Sequence, residues 1–251
     1  MSRIAVAGAT GAVGRHVVEA LRARGHEPVA LSRASGVDLT RLEGLARTLE
    51  GCSAVIDVAS RQTLSAKTAV GFFTAVTSHL LAAEAEAGVP HHVVLSIVGA
   101  AATDAGYYAG KAAQERLVMA GSGNWSLLRA TQFHEFAEQT ARRTMLGLIP
   151  VPTMLCRPVA AREVAEALAE LAGGAPAGLV PDLGGPRIER MGDMVRRYLA
   201  ATGRPERVLE LRLPGRFGKA LADGTLLPGQ QARLGAETYD EWLAQQARAG
   251  H

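Results

Sequence analysis

Cysteine is nearly absent from this chain of 251 residues, which holds only Cys52 and Cys156, far apart in sequence. They give neither the paired spacing of a zinc site nor a disulfide framework, so the expectation is no metal and two reduced thiols, as in a cytoplasmic protein. Aromatic residues are scarce at 4%, which leaves Ala, Val and Leu to build the core. Long hydrophobic runs are missing as well. No stretch approaches the ~20 apolar residues of a membrane span, and the run from Ile4 to Ala7 stops at a glycine turn, unlike a signal peptide. Charge of one sign is not concentrated: the net charge is +3, and the arginines are spread along the chain. No basic run interleaves with aromatics, which speaks against nucleic acid as a partner. What remains is 48% apolar and 20% charged residues, an ordinary globular balance. The partner expected is a small molecule, with neither nucleic acid nor membrane involved.

The first 130 residues repeat one pattern: a short apolar run, a turn, then helical spacing closed by glycine. Arg3–Ala7 is the first run, followed by Val13, Val17, Ala20 and Leu21 at helical spacing up to Gly25. Pro28–Ser32 is the second run, and Leu42, Leu45 and Leu49 mark a short helix ending at Gly51. Ala54–Ala59 comes next, then a long helix over Ala69–Ala87 that Gly88 stops. His92–Val98, a helix containing Lys111–Met119, and Ser126–Ala130 complete the series. Strands alternating with helices of this length predict βαβ crossovers and a parallel sheet covered on both faces, an α/β, Rossmann-type doubly wound fold. The expected division is a dinucleotide-binding core over residues 1–150 and a C-terminal portion over 151–251 that completes the fold and caps the substrate side. In that portion the sequence predicts helices at Ala161–Ala172, Arg190–Ala201 and Glu237–Ala247 and a strand at Val208–Leu213. The Leu- and Pro-rich segments Met145–Leu155 and Leu213–Leu227 suggest an apolar pocket lining. The long helix serves equally as a dimer face or as cover for the sheet, so monomer and homodimer both stay open.

The segment Gly8-Ala9-Thr10-Gly11-Ala12-Val13-Gly14 follows the first strand directly and opens a helix, the context that gives a glycine pattern meaning. Gly8 permits the sharp turn, Gly11 lets the backbone approach a pyrophosphate, and Gly14 lets the helix pack on the strand. The open N–H groups at the helix start, with about half a positive charge, hold the anion; the Thr10 hydroxyl adds a donor. The second strand run ends Leu31-Ser32-Arg33, with no acid for a ribose 2′-hydroxyl. A guanidinium there suits a 2′-phosphate. One charge-assisted contact is worth roughly 1.5–3 kcal/mol, about 10- to 150-fold in affinity, enough to predict NADP(H) over NAD(H). Asp38 and Leu39 follow, where a carboxylate can reach the adenine amino group. Ala59 and Ser60, just past the third strand run, are placed beside the cofactor, and Arg61 is read as solvated. Asp57, odd inside a buried strand, needs a hydrogen-bond partner.

These residues, with Asp57-Val58-Ala59, the stretch His92–Gly99, and Tyr107-Tyr108-Ala109-Gly110-Lys111, resemble in order the atypical short-chain dehydrogenases/reductases. The segment Arg129–Phe136 is similar to one in the NmrA-like, NAD(P)H-binding members. The resemblance implies a Rossmann core and either a reductase or a protein that senses the cofactor. Tyr107 and Lys111, spaced i, i+4, share one helix face. In the reaction the resemblance implies, Lys111 binds the nicotinamide ribose and, together with the oxidised nicotinamide, lowers the Tyr107 pKa from about 10 to about 7. Tyr107 then protonates the carbonyl oxygen as hydride reaches carbon. Ser96 is the candidate for the hydroxyl that positions the carbonyl, although Ile97 stands where the family often has a second hydroxyl. Gln132, Phe133 and His134, after the fifth strand, are candidates for the substrate side; His91-His92 reads as structural. The leading expectation is an NADPH-dependent reductase of a small, hydrophobic carbonyl, quinone or enone. The alternative is a non-catalytic NADP(H)-sensing regulator that binds a partner protein. A nucleotide-sugar epimerase or dehydratase is not expected, since the substrate region is short and no matching acid–base pattern accompanies Tyr107.

Overall fold

The alternation of apolar runs and helical spacing becomes, in the computed structural model, an alternation of strands and helices; residues 1–103, 105–121 and 124–249 are described. Along the chain these are β1 (Arg3–Ala7), α1 (Ala12–Ala23), β2 (Glu27–Leu31), α2 (Leu45–Leu49), β3 (Cys52–Asp57), α3 (Ala66–Ala87), β4 (His92–Ile97), α4 (Gly106–Met119) and β5 (Trp125–Ala130). There follow α5 (Phe136–Ala141), β6 (Leu148–Pro152), β7 (Leu155–Cys156), α6 (Ala161–Gly173), β8 (Gly178–Leu179), β9 (Leu183–Gly184), β10 (Glu189–Arg190), α7 (Met191–Ala201), β11 (Arg207–Leu211), α8 (Gly215–Ala222), β12 (Arg233–Leu234) and α9 (Tyr239–Ala249). Short 3-10 turns occupy Arg33–Ser35 and Ala100–Ala102. The strands and helices expected from the sequence are present, with ends displaced by up to a few residues.

The chain forms two compact units, one of Met1–Arg129 with Arg162–Pro181, the other of Ala130–Ala161 with the chain from Asp182 onward. The chain leaves the first unit at the end of β5 and returns to it for α6 and β8. The return has a local cause: Val164, Ala165, Leu168, Ala169 and Ala172 form one apolar stripe on α6, all of it buried.

In the first unit the strands run β2-β1-β3-β4-β5, with β8 paired to β5. The pairs β1–β2, β1–β3, β3–β4 and β5–β8 are parallel. Strands buried on both faces must be apolar throughout, and Ile4–Ala7 and Ala54–Ile56 are. From β1 the chain first crosses to β2 and then to β3 on the other side. The order reverses at β1/β3, and an open α/β sheet binds ligands beyond the carboxyl ends of its strands at such a point. The long α3 buries Ala69, Phe73, Val76, Leu80 and Ala83. Val76, Leu80 and Ala83 join Ala5, Ala7, Leu31, Val55 and Ala59 in one core cluster, so this helix face covers the sheet.

In the second unit β6 and β11 form a parallel pair, β7 and β10 an antiparallel one, and β9 pairs with both β12 and Ala130. The Tyr239 hydroxyl donates to the Met194 carbonyl at 3.0 Å. Arg197 joins Glu189 to Asp240. The sequence does not announce β6, whose apolar pattern Pro150 and Pro152 interrupt, or β7, which is two residues long.

Candidate active site at the switch point

The turn after β1 is built on close backbone approach. Gly8 has φ +83, and a Cβ on it would lie 2.9 Å from the Cα and N of Ala59 and from the Val58 oxygen. A Cβ on Gly14 would collide with the Gly8 carbonyl and sit 2.8 Å from the Ala9 Cα. The turn after β1 and the chain after β3 therefore lie in backbone contact, with α1 pressed onto the turn. Gly11 is the N-cap of α1 and supplies no side-chain hydrogen bond to the first-turn N–H groups. Open N–H groups at the start of a helix of twelve residues, in a cradle that no Cβ fills, fit a dinucleotide pyrophosphate. Ala9 and Val13 pack inward, and Thr10 is exposed beside them.

Beyond β2, Ser32 and Ser35 cap each other. The Ser32 Oγ accepts from the Ser35 N–H at 3.3 Å, and the Ser35 Oγ accepts from the Ser32 N–H at 3.0 Å. This box fixes a 3-10 turn whose first residue, Arg33, is exposed at the strand end. Asp38 is exposed too, and its Oδ1 accepts from the Thr40 N–H at 3.0 Å and hydroxyl at 2.7 Å. Those bonds hold its carboxyl below the usual carboxylate range. Leu39 is different from expectation: its side chain belongs to the core cluster, so only its backbone is available to a ligand. The Leu39 carbonyl faces His79 Nδ1 at 3.1 Å.

Tyr107 and Lys111 share a face of α4, as their spacing requires. Gly110 between them lets α3 come close: a Cβ there would lie 2.5 Å from Phe73 Cδ2 and 2.8 Å from the Ala69 Cβ. The Phe73 ring thereby meets both residues, edge-on to Tyr107 with centroids 5.4 Å apart and 4.5 Å from the Lys111 Nζ. Lys111 is 2% exposed, and its Nζ donates to the Leu95 carbonyl and to Gln114 Oε1, each at 2.8 Å. Burial pulls its pKa down to about 8, against the pull of Asp57 and Glu115 in the other direction.

In the chain by itself the Tyr107 phenol is raised. Burial pushes its phenol up to about 12; the hydrogen bond from Ser60 works against this and the Asp57 charge adds to it. The hydroxyl beside Tyr107 is also not the expected one. Ser96 is fully buried within β4, and its Oγ has no hydrogen-bond partner among the described residues. Ser60, on the loop after β3, instead places its Oγ 3.1 Å from the Tyr107 oxygen. Register at the switch point brings these residues together, and no spacing along the chain announces it.

Asp57 finds its partners. Oδ1 accepts from the Ala59 N–H at 2.9 Å, and Oδ2 accepts from Gln114 Nε2 at 2.8 Å. Gln114 escaped sequence reading, since it lies three residues past Lys111 outside any motif. His91 and His92 are structural, as expected: His91 Nε2 pairs with Ser126 Oγ at 2.9 Å and His92 Nδ1 with Glu84 at 2.8 Å, all of them buried. Both cysteines are unpaired and buried.

In the second unit, Gln132 and Phe133 lie along Val159: the Gln132 carbonyl accepts from the Val159 N–H at 2.9 Å, and Phe133 forms a bridge with Val159. His134 is fully buried, its Nε2 3.1 Å from the Glu237 carbonyl and its ring packed against Tyr239 and Trp242. Its packing is that of a core histidine. Among the described residues no group of three or more His, Cys, Asp or Glu is placed to hold a metal ion, and no helix is long and apolar enough to cross a membrane.

A glycine cradle at the strand-order reversal, an arginine at the end of β2 and a Tyr–Lys pair on α4 define a dinucleotide-binding α/β protein. Residues 8–173 match the NAD(P)H-binding family, and the chain belongs to that family. Among solved structures it is similar to UDP-N-acetylglucosamine 4-epimerase from Bacillus cereus, at 19% identity and TM-score 0.73 over 99% of this chain and 97% of that one. It is also similar to TunA, an NAD-dependent NDP-hexosamine 5,6-dehydratase of tunicamycin biosynthesis, at 18% identity and TM-score 0.74 over 99% and 97%. A short-chain dehydrogenase/reductase superfamily protein from Agrobacterium tumefaciens with bound NAD matches at 18% and TM-score 0.70, again over 99% and 97%. Identities this low show a shared fold. No curated protein sequence matches the chain.

Proposed function

We propose that the protein is an NADPH-dependent oxidoreductase that reduces a small, hydrophobic carbonyl, quinone or enone. The observation that carries this is the cluster Ser60–Tyr107–Phe73–Lys111, a phenol held at its hydroxyl and braced at its ring beside a buried ammonium. At neutral pH the Tyr107 phenol carries its proton, the state from which a proton donor starts. When bound, the nicotinamide supplies the hydride. Tyr107 delivers the proton to the oxygen that gains charge, Ser60 holds the Tyr107 hydroxyl in place, and Lys111 donates to the ribose. Gly8 to Gly14 hold the pyrophosphate, and Arg33 pairs with a 2′-phosphate.

The test is NADPH consumption by purified protein against a panel of carbonyls, quinones and enones, with Tyr107→Phe and Arg33→Ala beside it. Turnover lost in Tyr107→Phe with cofactor binding kept, and NADPH affinity reduced about 10- to 150-fold in Arg33→Ala with NADH unaffected, is the expected result. No turnover on any substrate, or turnover indifferent to Tyr107→Phe, refutes the catalytic reading. A second reading, a sensor of NADP(H) acting through a partner protein, draws on the commitment of Lys111 to acceptors of its own chain. It requires equal affinity for the oxidised and reduced forms and no turnover.

A further inference from the structure

Gln114 stands at the centre of a buried polar chain that the Tyr–Lys motif does not contain. Its Oε1 accepts from the Lys111 Nζ, while its Nε2 donates to Asp57 Oδ2 at 2.8 Å and lies 3.3 Å from the Thr77 Oγ1. An ammonium only donates and a carboxylate only accepts, so the amide has one permitted orientation, oxygen to the cation and nitrogen to the anion. Asp57 uses its other oxygen on the Ala59 N–H. Ala59 is the residue against which the Gly8 backbone rests.

We propose that Gln114 and Asp57 are positioning residues for Lys111: the glutamine amide fixes the ammonium against β4 and couples it to the Asp57 carboxylate, which also anchors the backbone beneath the glycine turn. One chain of hydrogen bonds thus runs from the ribose-binding cation to the Ala59 N–H, and the Ala59 backbone packs beneath the Gly8 turn. The inference rests on the reading of Lys111 as a cofactor-binding residue. An ammonium has three donors; Leu95 and Gln114 take two, which sets the direction of the third. Stability alone does not call for such an array, because buried ionic groups can be exchanged for well-packed apolar ones at no loss or with a gain. The array does what an apolar set cannot: it holds a positive charge at a fixed point in a dry interior.

The charges facing Lys111 are few. Asp57 comes from β3 and Glu115 from α4, where Arg129 engages Glu115 through both of its carboxylate oxygens at 2.8 and 2.7 Å. Tyr107, also on α4, is neutral at these pH values. From α3 come Phe73 and Thr77 and from β4 the Leu95 carbonyl, none of them charged. Asp57 is then the main counter-charge, and Gln114 transmits it.

The experiment is a fluorescence titration of the full chain with NADPH from about pH 6 to about pH 10, with Tm recorded for every variant. In the native chain affinity falls as pH rises through the Lys111 pKa, near 8. Lys111→Met weakens binding and abolishes this fall. Gln114→Leu and the isosteric Asp57→Asn move the fall to lower pH by at least about one unit, the size of effect an opposite charge exerts at short range. At neutral pH they weaken binding about tenfold while still unfolding cooperatively. Gln114→Glu, the same in shape, places a carboxylate against the ammonium and moves the fall upward. A folded variant of Gln114 or Asp57 whose profile coincides with the native one overturns the proposal, even where Lys111→Met behaves as stated. If Lys111→Met itself keeps native affinity and profile, the cofactor role of Lys111 is what fails.

Discussion

Two alanine substitutions in the glycine turn should separate folding from binding. At Gly14 an added Cβ collides with the Gly8 carbonyl and lies 2.8–2.9 Å from the Ala9 Cα and C. All of these are backbone atoms, so no side chain can swing aside. Overpacking of this kind costs about 1–3 kcal/mol, and a backbone clash belongs at the upper end. The gain from replacing a helical glycine by alanine, about 0.5–1 kcal/mol, recovers only part of it. At Gly11, by contrast, an added Cβ meets a single atom, the Gly8 oxygen at 3.2 Å, and φ is −74, which alanine adopts freely. Alanine is a poorer N-cap than glycine by up to about 1 kcal/mol, and the lower entropy of the unfolded chain returns about 0.4–1 kcal/mol. The net change is close to zero. Gly14→Ala should therefore lower Tm by several degrees, at about 2–4 °C per kcal/mol for a chain of this size, while Gly11→Ala leaves it nearly unchanged. The methyl of Gly11→Ala stands where the pyrophosphate must approach. NADPH affinity should drop about 10- to 150-fold, the worth of one charge-assisted hydrogen bond. Differential scanning calorimetry and fluorescence titration read the two effects independently. A Gly11→Ala protein that binds NADPH as the native chain does would refute the assignment of this turn.

The buried pair His92–Glu84 makes a prediction about pH. Burial pulls His92 down, but the charge and hydrogen bond of Glu84 outweigh it and raise His92 above its ordinary 6.5. Glu84 is raised above its ordinary 4.5 by burial, with His92 acting against. The folded chain thus binds more protons than the unfolded one, and this pair's contribution to stability falls as pH rises from near 4.5 to beyond 6.5. Denaturant unfolding across that range should show a slope that flattens in a Glu84→Gln/His92→Asn double variant; an equal slope would remove the pair from the account. Burial pushes the thiols of Cys52 and Cys156 up, the latter to about 12, so neither should react with a thiol reagent in the native state at neutral pH. Labelling that is fast without denaturant would contradict this. Phe73→Leu removes the edge-on contact with Tyr107 and the ring near Lys111, and should cost about 1–3 kcal/mol in urea unfolding. A loss in turnover larger than the loss in cofactor affinity would show that the ring braces Tyr107.

The N-terminal half of the fold was legible because its rules are local. A strand buried on both faces must be an unbroken apolar run such as Ile4–Ala7, and a helix ends where Gly25, Gly51 or Gly88 relieves a left-handed backbone. The glycine turn, the arginine after β2 and the i, i+4 pair of Tyr107 and Lys111 follow from spacing alone, since neighbours along one turn or one helix face are fixed by the geometry of a single element. Tertiary structure decided the rest. Ser60 supplies the hydroxyl beside Tyr107 and Ser96 does not, because the meeting of a loop after β3 with the start of α4 depends on sheet order. Phe73, Gln114 and Asp57 gather around Lys111 across three elements, separated by as many as 57 positions in sequence. His134 looked reactive and is packed among aromatics that come from more than a hundred residues later. Burial, which sets the pKa of Tyr107 and Lys111, is a property of everything that surrounds a side chain, and no local pattern carries it.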